Sequence, residues 1–143
     1  MPAAVLLCLV IAVGDGDSLS ARCDASQRPL QVRLATIDAP ELRQAFGQAA
    51  RSGLQGLCLH QRAQMHTLGH DAYGRTLAHV RCRGQDAAAA QVGAGLAWVP
   101  SRQAASQPQL YRLQQQARAS GAGLWAQRRP MPPWDYRRRH GQP

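Results

Sequence analysis

The chain of 143 residues contains no lysine, so each of its 17 basic side chains is an arginine. It is also short of aromatics, which make up 5% of the sequence. A core of stacked rings is therefore excluded, and packing falls to Val, Leu, Ile and Ala; the 45% apolar content is enough for one buried core. Acids are scarce: eight Asp and Glu leave a formal net charge of +9. Such a balance favours an anionic partner, a nucleic acid or an acidic membrane surface. Exclusive arginine usage fits a GC-rich coding sequence as well as it fits phosphate binding, for which the planar guanidinium fork is suited. No internal repeat is present. The apolar stretch Met1–Val13 is too short to span a membrane.

That stretch has the length of a signal-peptide apolar region, but it lacks a basic start and a small-x-small cleavage site. The same residues also read as a buried first strand over 6–14 that runs into Asp15. The expected division is an N-terminal extension or signal remnant over 1–5, a folded domain over 6–127, and a basic, weakly structured Pro/Arg-rich tail over 128–143. A signal remnant would make the protein secreted or periplasmic. Four cysteines (Cys8, Cys23, Cys58 and Cys82) permit disulfides in an oxidising compartment and equally permit buried thiols.

Residues 5–37 read as β-rich: the apolar run, the turn Gly14–Asp17, a strand Ser18–Cys23, a turn around Ser26–Pro29, and a strand Leu30–Ile37. In the last of these, Val32, Leu34 and Thr36 alternate with Arg33 and Ala35. Pro40 holds Ala39 extended and ends the strand. Ala50, Leu54, Leu57 and Cys58 have helical spacing within 47–59. Two further strands, Ala63–Leu68 and Arg75–Cys82, flank a polar turn. Helices follow over Asp86–Ala94, closed by Gly95, and over Leu110–Ala119 before Gly121; Trp125 then packs back onto the body. The fold class expected is mainly β with helices: five strands, with a helix inserted after the third, that close into a small barrel.

Five of the eight acids fall in three short segments: Asp15 and Asp17, Asp38 and Glu41, and Asp71. Solubility gives no reason for this placement in so basic a chain. On an extended segment Asp15 and Asp17 share one face, where two carboxylates repel unless a cation or base lies between them. Hard oxygen donors favour Ca²⁺ or Mg²⁺ over Zn²⁺. Arg33, in the middle of an apolar strand, needs an anion, either Asp38 or Glu41 or an external phosphate. Arg75 opens a strand, where its side chain can project from a barrel rim.

Together, Asp15-Gly16-Asp17-Ser18, Arg33-Leu34 through Ile37-Asp38-Ala39-Pro40-Glu41, and Asp71 through Tyr73-Gly74-Arg75 resemble the signatures of the staphylococcal nuclease-like family. The resemblance continues in Gln44-Ala45-Phe46-Gly47, Gly95-Leu96-Ala97-Trp98, Ala117-Arg118 and Gly123-Leu124-Trp125, and so covers about residues 6–127. It implies an OB-fold barrel with three helices that hydrolyses phosphodiester bonds of DNA and RNA, leaving 3′-phosphates. Arg33, Glu41 and Arg75 would be catalytic. Asp17, Asp38 and the carbonyl of Ala39 would bind Ca²⁺, with Asp15 behind them. The expected protein is a monomer with DNA and RNA as substrates and no stable membrane span.

The chain departs from the family in the loop after Gly95-Leu96-Ala97. A base-packing Tyr is usual there, but this sequence reads Pro100-Ser101-Arg102-Gln103, which leaves base contact to Tyr73 or Trp98. His60, His66, His70 and His79 form no compact ligand set by spacing and read as solvated or core residues. The alternative function is a catalytically inert OB-fold that binds nucleic acid by charge. It predicts loss of at least one of Arg33, Glu41 and Arg75, and all three are present. A basic surface-binding protein would account for the charge but not for the placement of the acids.

Overall fold

The computed structural model describes residues 5–23 and 28–141. The expected extension over 1–5 therefore lies, apart from Val5, outside the described residues, as do Ser26 and Gln27 of the turn at Ser26–Pro29. Six strands form one sheet: β1 (Val5–Asp15), β2 (Ser18–Cys23), β3 (Leu30–Leu34), β4 (Arg62–His70), β5 (Thr76–Cys82) and β6 (Gln85–Asp86). Their order is β3-β2-β1-β4-β5-β6, and a parallel pairing of β3 with β5 closes the first five strands into a barrel. This is the OB-type barrel expected from the sequence.

Alternation builds the barrel interior. Cys8 and Val10 of β1, Leu19 and Ala21 of β2, Val32 and Leu34 of β3, Ala63 and Met65 of β4, and Ala78 and Val80 of β5 are all buried. Helix α1 (Gly47–Cys58) follows the third strand as expected and packs its buried Ala50 and Leu54 against β1. Helix α2 (Ala87–Gly93) starts on Asp86, whose carboxylate caps it by accepting from the Ala89 amide at 3.0 Å. Helix α4 (Pro108–Ser120) has Pro in its first turn and stops at Gly121 in the left-handed conformation. These are the three expected helices. Two short ones are added, α3 (Ser101–Ala104) and α5 (Pro133–Arg139), together with a 3₁₀ turn at Gly123–Ala126 that buries Trp125 against Trp98.

Three expectations need correction. β3 stops at Leu34 rather than running to Ile37. Thr36 takes a positive φ of 73°, so the alternation breaks, and Ala35 and Ile37 are buried in its place. The turn expected over Gly14–Asp17 is narrower, since β1 runs to Asp15 and β2 begins at Ser18; it also keeps Asp15 and Asp17 from being alternate residues of one extended strand. Within the tail expected to be weakly structured over 128–143, residues 133–139 form a helix. α5 buries Pro133, and Trp134 sets its ring 5.6 Å from that of Trp98, edge to face.

Of the two readings left open for the cysteines, the structure takes the disulfide one. Cys8–Cys23 joins β1 to β2, and Cys58–Cys82 ties the end of α1 to β5. No helix among the described residues is long and apolar enough to cross a membrane.

Candidate active site

The β1–β2 turn is pressed against α1 and the loop after β3. A Cβ on Gly16 would lie 2.5 Å from the Cβ of Ala50 and 2.8 Å from that of Ala39, so only glycine fits. Buried Gln91 on α2 stitches this contact by donating from Nε2 to the carbonyls of both Gly16 and Ala50, each at 2.8 Å. The turn itself is held by Asp15. One of its carboxylate oxygens accepts from the Asp17 amide at 3.1 Å and from the Ser18 hydroxyl at 2.7 Å. Asp17 is thereby turned inward and buried, and its Oδ2 accepts the Ala39 amide at 2.7 Å.

Asp38 is fixed by its backbone. Its N–H and C=O exchange hydrogen bonds with Trp98 at 2.9 and 2.8 Å, a single bridge outside the barrel ladder. Ile37 and Ala39 on either side are buried, which leaves the Asp38 carboxylate facing a cleft on the barrel rim. Arg33 reaches the same cleft from β3, with Nη2 3.6 Å from Asp17 Oδ2 and 3.5 Å from Asp38 Oδ1. Glu41 follows Pro40. Its loop is clamped by Gln44, which accepts the Glu41 amide at 3.1 Å and donates to the Met131 carbonyl at 2.7 Å.

Arg75 stands across the cleft. Its Nε donates to Asp71 Oδ2 at 2.7 Å, and its guanidinium lies 5.7 Å from the centre of the exposed Tyr73 ring. Asp71 also accepts the amides of Tyr73 and Arg75, each at 2.9 Å. The cleft measures about 1170 Å³; Arg33, Glu41, Tyr73, Arg75 and Arg102 are among the residues that line it. The sequence-named residues therefore share one cleft, and Ala39 lies beside it. Trp98 is not offered to it as a stacking platform, because its ring is engaged by Trp125 at 4.5 Å and by Trp134.

The electrostatics follow from burial. Desolvation holds the Asp17 carboxyl well above the ordinary range, although the Arg33 charge and the Ala39 amide oppose it and Asp15 adds to it. Glu41 is raised for the same reason, against the pull of Arg137. At Asp71 burial acts upward but is outweighed by the hydrogen bonds from Arg75 and Tyr73, so its carboxyl is lowered.

Sequence reasoning missed Arg137. Its guanidinium forks onto Asp38, Nη2 to Oδ2 at 2.7 Å and Nη1 to Oδ1 at 3.1 Å, with Nη1 also 3.6 Å from Glu41. Asp38 in turn raises the Arg137 pKa further through these bonds. A signal existed: Pro132-Pro133 ahead of Trp134 marks a helix start, and Trp134 and Arg137 are one turn apart.

The donors available to a cation are carboxylate and carbonyl oxygens, hard ligands suited to Ca²⁺. Buried Asp17, balanced by Arg33 only at 3.6 Å, is a carboxyl whose ionised form a cation would stabilise. Among the described residues no three of His, Cys, Asp and Glu already converge as a ligand set. Asp17 and Asp38 are instead bridged by arginine.

Comparison with known proteins gives a consistent picture. The family model described as staphylococcal nuclease homologue matches residues 31–127. Protein ParB of Escherichia coli is 37% identical over 139 residues, covering 90% of this chain and 77% of ParB. A Haemophilus influenzae protein named an uncharacterized endonuclease is 37% identical over 131 residues, covering 92% of this chain and 72% of its own. A micrococcal nuclease of Shigella flexneri is 34% identical over 139 residues, covering 90% and 79% respectively.

Proposed function

Because this chain belongs to the staphylococcal nuclease homologue family and is a nuclease that hydrolyses phosphodiester bonds, we propose that it works as a calcium-dependent endonuclease on both DNA and RNA. The observation that carries this reading is the sharing of one rim cleft by Asp17, Asp38 and Glu41 on one side and by Arg33 and Arg75 as paired phosphate forks. Asp17, Asp38 and the Ala39 carbonyl would hold Ca²⁺, with Asp15 fixing the turn behind them. When bound, Ca²⁺ supplies positive charge against the phosphate and orders a water for attack.

The remaining chemistry is that of the chain's own side chains. Glu41 accepts the proton of the attacking water, a role that its raised proton affinity suits. Arg33 and Arg75 grip the phosphoryl oxygens as negative charge grows on them in the transition state. Attack of that water on phosphorus breaks the bond to the 5′-oxygen, which takes up a proton from solvent and departs as a 5′-hydroxyl, and leaves the phosphate on the 3′-oxygen. Tyr73, exposed beside Arg75, is the surface on which a base would stack. All these groups come from one chain, which supports a monomer as the active species. Two disulfides support a secreted or periplasmic location, since such bonds persist in oxidising compartments.

The test is digestion of single-stranded DNA and of RNA with and without a calcium chelator, with analysis of the product ends. Chelator-sensitive cleavage of both polymers to 3′-phosphate ends is expected. Cleavage that ignores the chelator would remove the metal from the scheme, and 5′-phosphate ends would reverse the direction of attack.

A further inference from the structure

The site contains an arginine that the scheme above does not use. Arg137 is brought to it by an element with its own anchors: Pro133 is buried, Trp134 packs on Trp98, and Gln44 holds the Met131 carbonyl. The Trp98 backbone is the partner that fixes Asp38, so one residue docks α5 through its ring and positions the carboxylate through its amide. One helical turn beyond Trp134, the Arg137 fork occupies both oxygens of Asp38 and bridges to Glu41. With Arg33 on the other side, both oxygens of Asp38 already face guanidinium charge where a cation would have to bind.

We infer that Arg137 is a built-in competitor for the cation site, so that docking of α5 on Asp38 and binding of a divalent cation exclude each other. The inference rests on the reading of Asp38 as a cation ligand. A tethered guanidinium supplies charge where the acids would otherwise repel one another, and it keeps the metal-free rim ordered. A divalent cation must displace it, and its apparent affinity falls by the fraction of molecules in which α5 is released. Displacement also frees a third guanidinium at the mouth of the cleft.

The experiment is calcium titration calorimetry on the wild-type protein, Arg137→Ala and Arg137→Lys, without substrate. It is paired with hydrogen exchange of the α5 amides at zero and saturating calcium. Loss of a charge-assisted, partly exposed fork is expected to tighten calcium binding about tenfold in Arg137→Ala. Arg137→Lys keeps the charge but not the fork and should recover most of that gain. In the wild-type protein the α5 amides should exchange faster once calcium saturates. Equal or weaker binding in Arg137→Ala, a lysine variant that matches wild type, or α5 exchange unmoved by calcium would each overturn the competitor. Absence of binding in all three proteins would instead overturn the calcium reading, and the inference with it.

Discussion

Gly16→Ala tests how the turn that carries Asp17 into the cleft is held. The added Cβ must find room where Ala50 Cβ lies at 2.5 Å, Ala39 Cβ at 2.8 Å and the Ala50 carbonyl carbon at 3.3 Å. None of these is the far end of a flexible side chain, so the turn must move as a unit away from α1. Overpacking of this kind costs about 1–3 kcal/mol. Stretching the Gln91 bond to the Gly16 carbonyl adds about 1 kcal/mol. Together they should lower the melting temperature by roughly 5–10 °C for a chain of this size. Asp17 rides on the same turn, and a shift of order 1 Å should cost about 10²-fold in cleavage rate. The assay is thermal melting followed by circular dichroism, alongside initial rates on single-stranded DNA. Ala50→Gly removes the nearest clashing atom at its own cost of about 1 kcal/mol. The double variant should therefore be more stable than the sum of the two single changes, by about 1 kcal/mol. A Gly16→Ala protein that melts within a degree of wild type and cuts at the wild-type rate would refute the close packing of the turn.

Other outcomes follow from the same geometry. Glu41→Gln and Arg75→Ala should each reduce the rate by orders of magnitude while the protein stays folded by circular dichroism, and near wild-type cleavage by either would remove that residue from the chemistry. Since burial raises Glu41, its base form fills only above the ordinary glutamate range; the cleavage rate should climb with pH through that raised value, and the Gln variant should lose the inflection. Asp71 has the opposite sign. Its folded pKa is lowered, so its contribution to stability is present above the unfolded value of 3.8 and is lost as pH falls through the folded one; Asp71→Asn should flatten the acid limb of the stability curve. Asp17→Asn should raise the metal-free melting temperature at neutral pH, because an acid whose folded pKa is raised costs stability once ionised; a lower value would show Asp17 to be structural. Reduction should cost about 3 kcal/mol per disulfide for loops closed at separations of 15 and 24 residues, visible as a large drop in melting temperature with dithiothreitol.

Legibility in the sequence tracked the range of the interaction. The barrel was readable because alternation in β1, β3 and β5 is a local consequence of burying one face of a strand, and α1, α2 and α4 carry their own periodicity or stop signals. The scarce acids were readable as a candidate site because five of the eight gather in three short segments of a basic chain, where solubility does not call for them. The departures lie where tertiary contact overrides a local pattern. Thr36 leaves the strand so that Ile37 and Ala39 can be buried on either side of Asp38, whose backbone pairs with Trp98 sixty residues away. Gln91 and Gln44 look like ordinary polar residues until the fold brings Gly16, Ala50 and Met131 to them.

By itself, then, the sequence determined the barrel, the three acidic segments and the two arginines that share their cleft, since each is written in residue type and short spacing. Only the tertiary structure decided that the arginine-rich end is a docked helix rather than a loose tail. An Arg run is solvated unless a distant carboxylate comes within hydrogen-bonding reach, and the meeting of Arg137 with Asp38 depends on Trp134 finding Trp98.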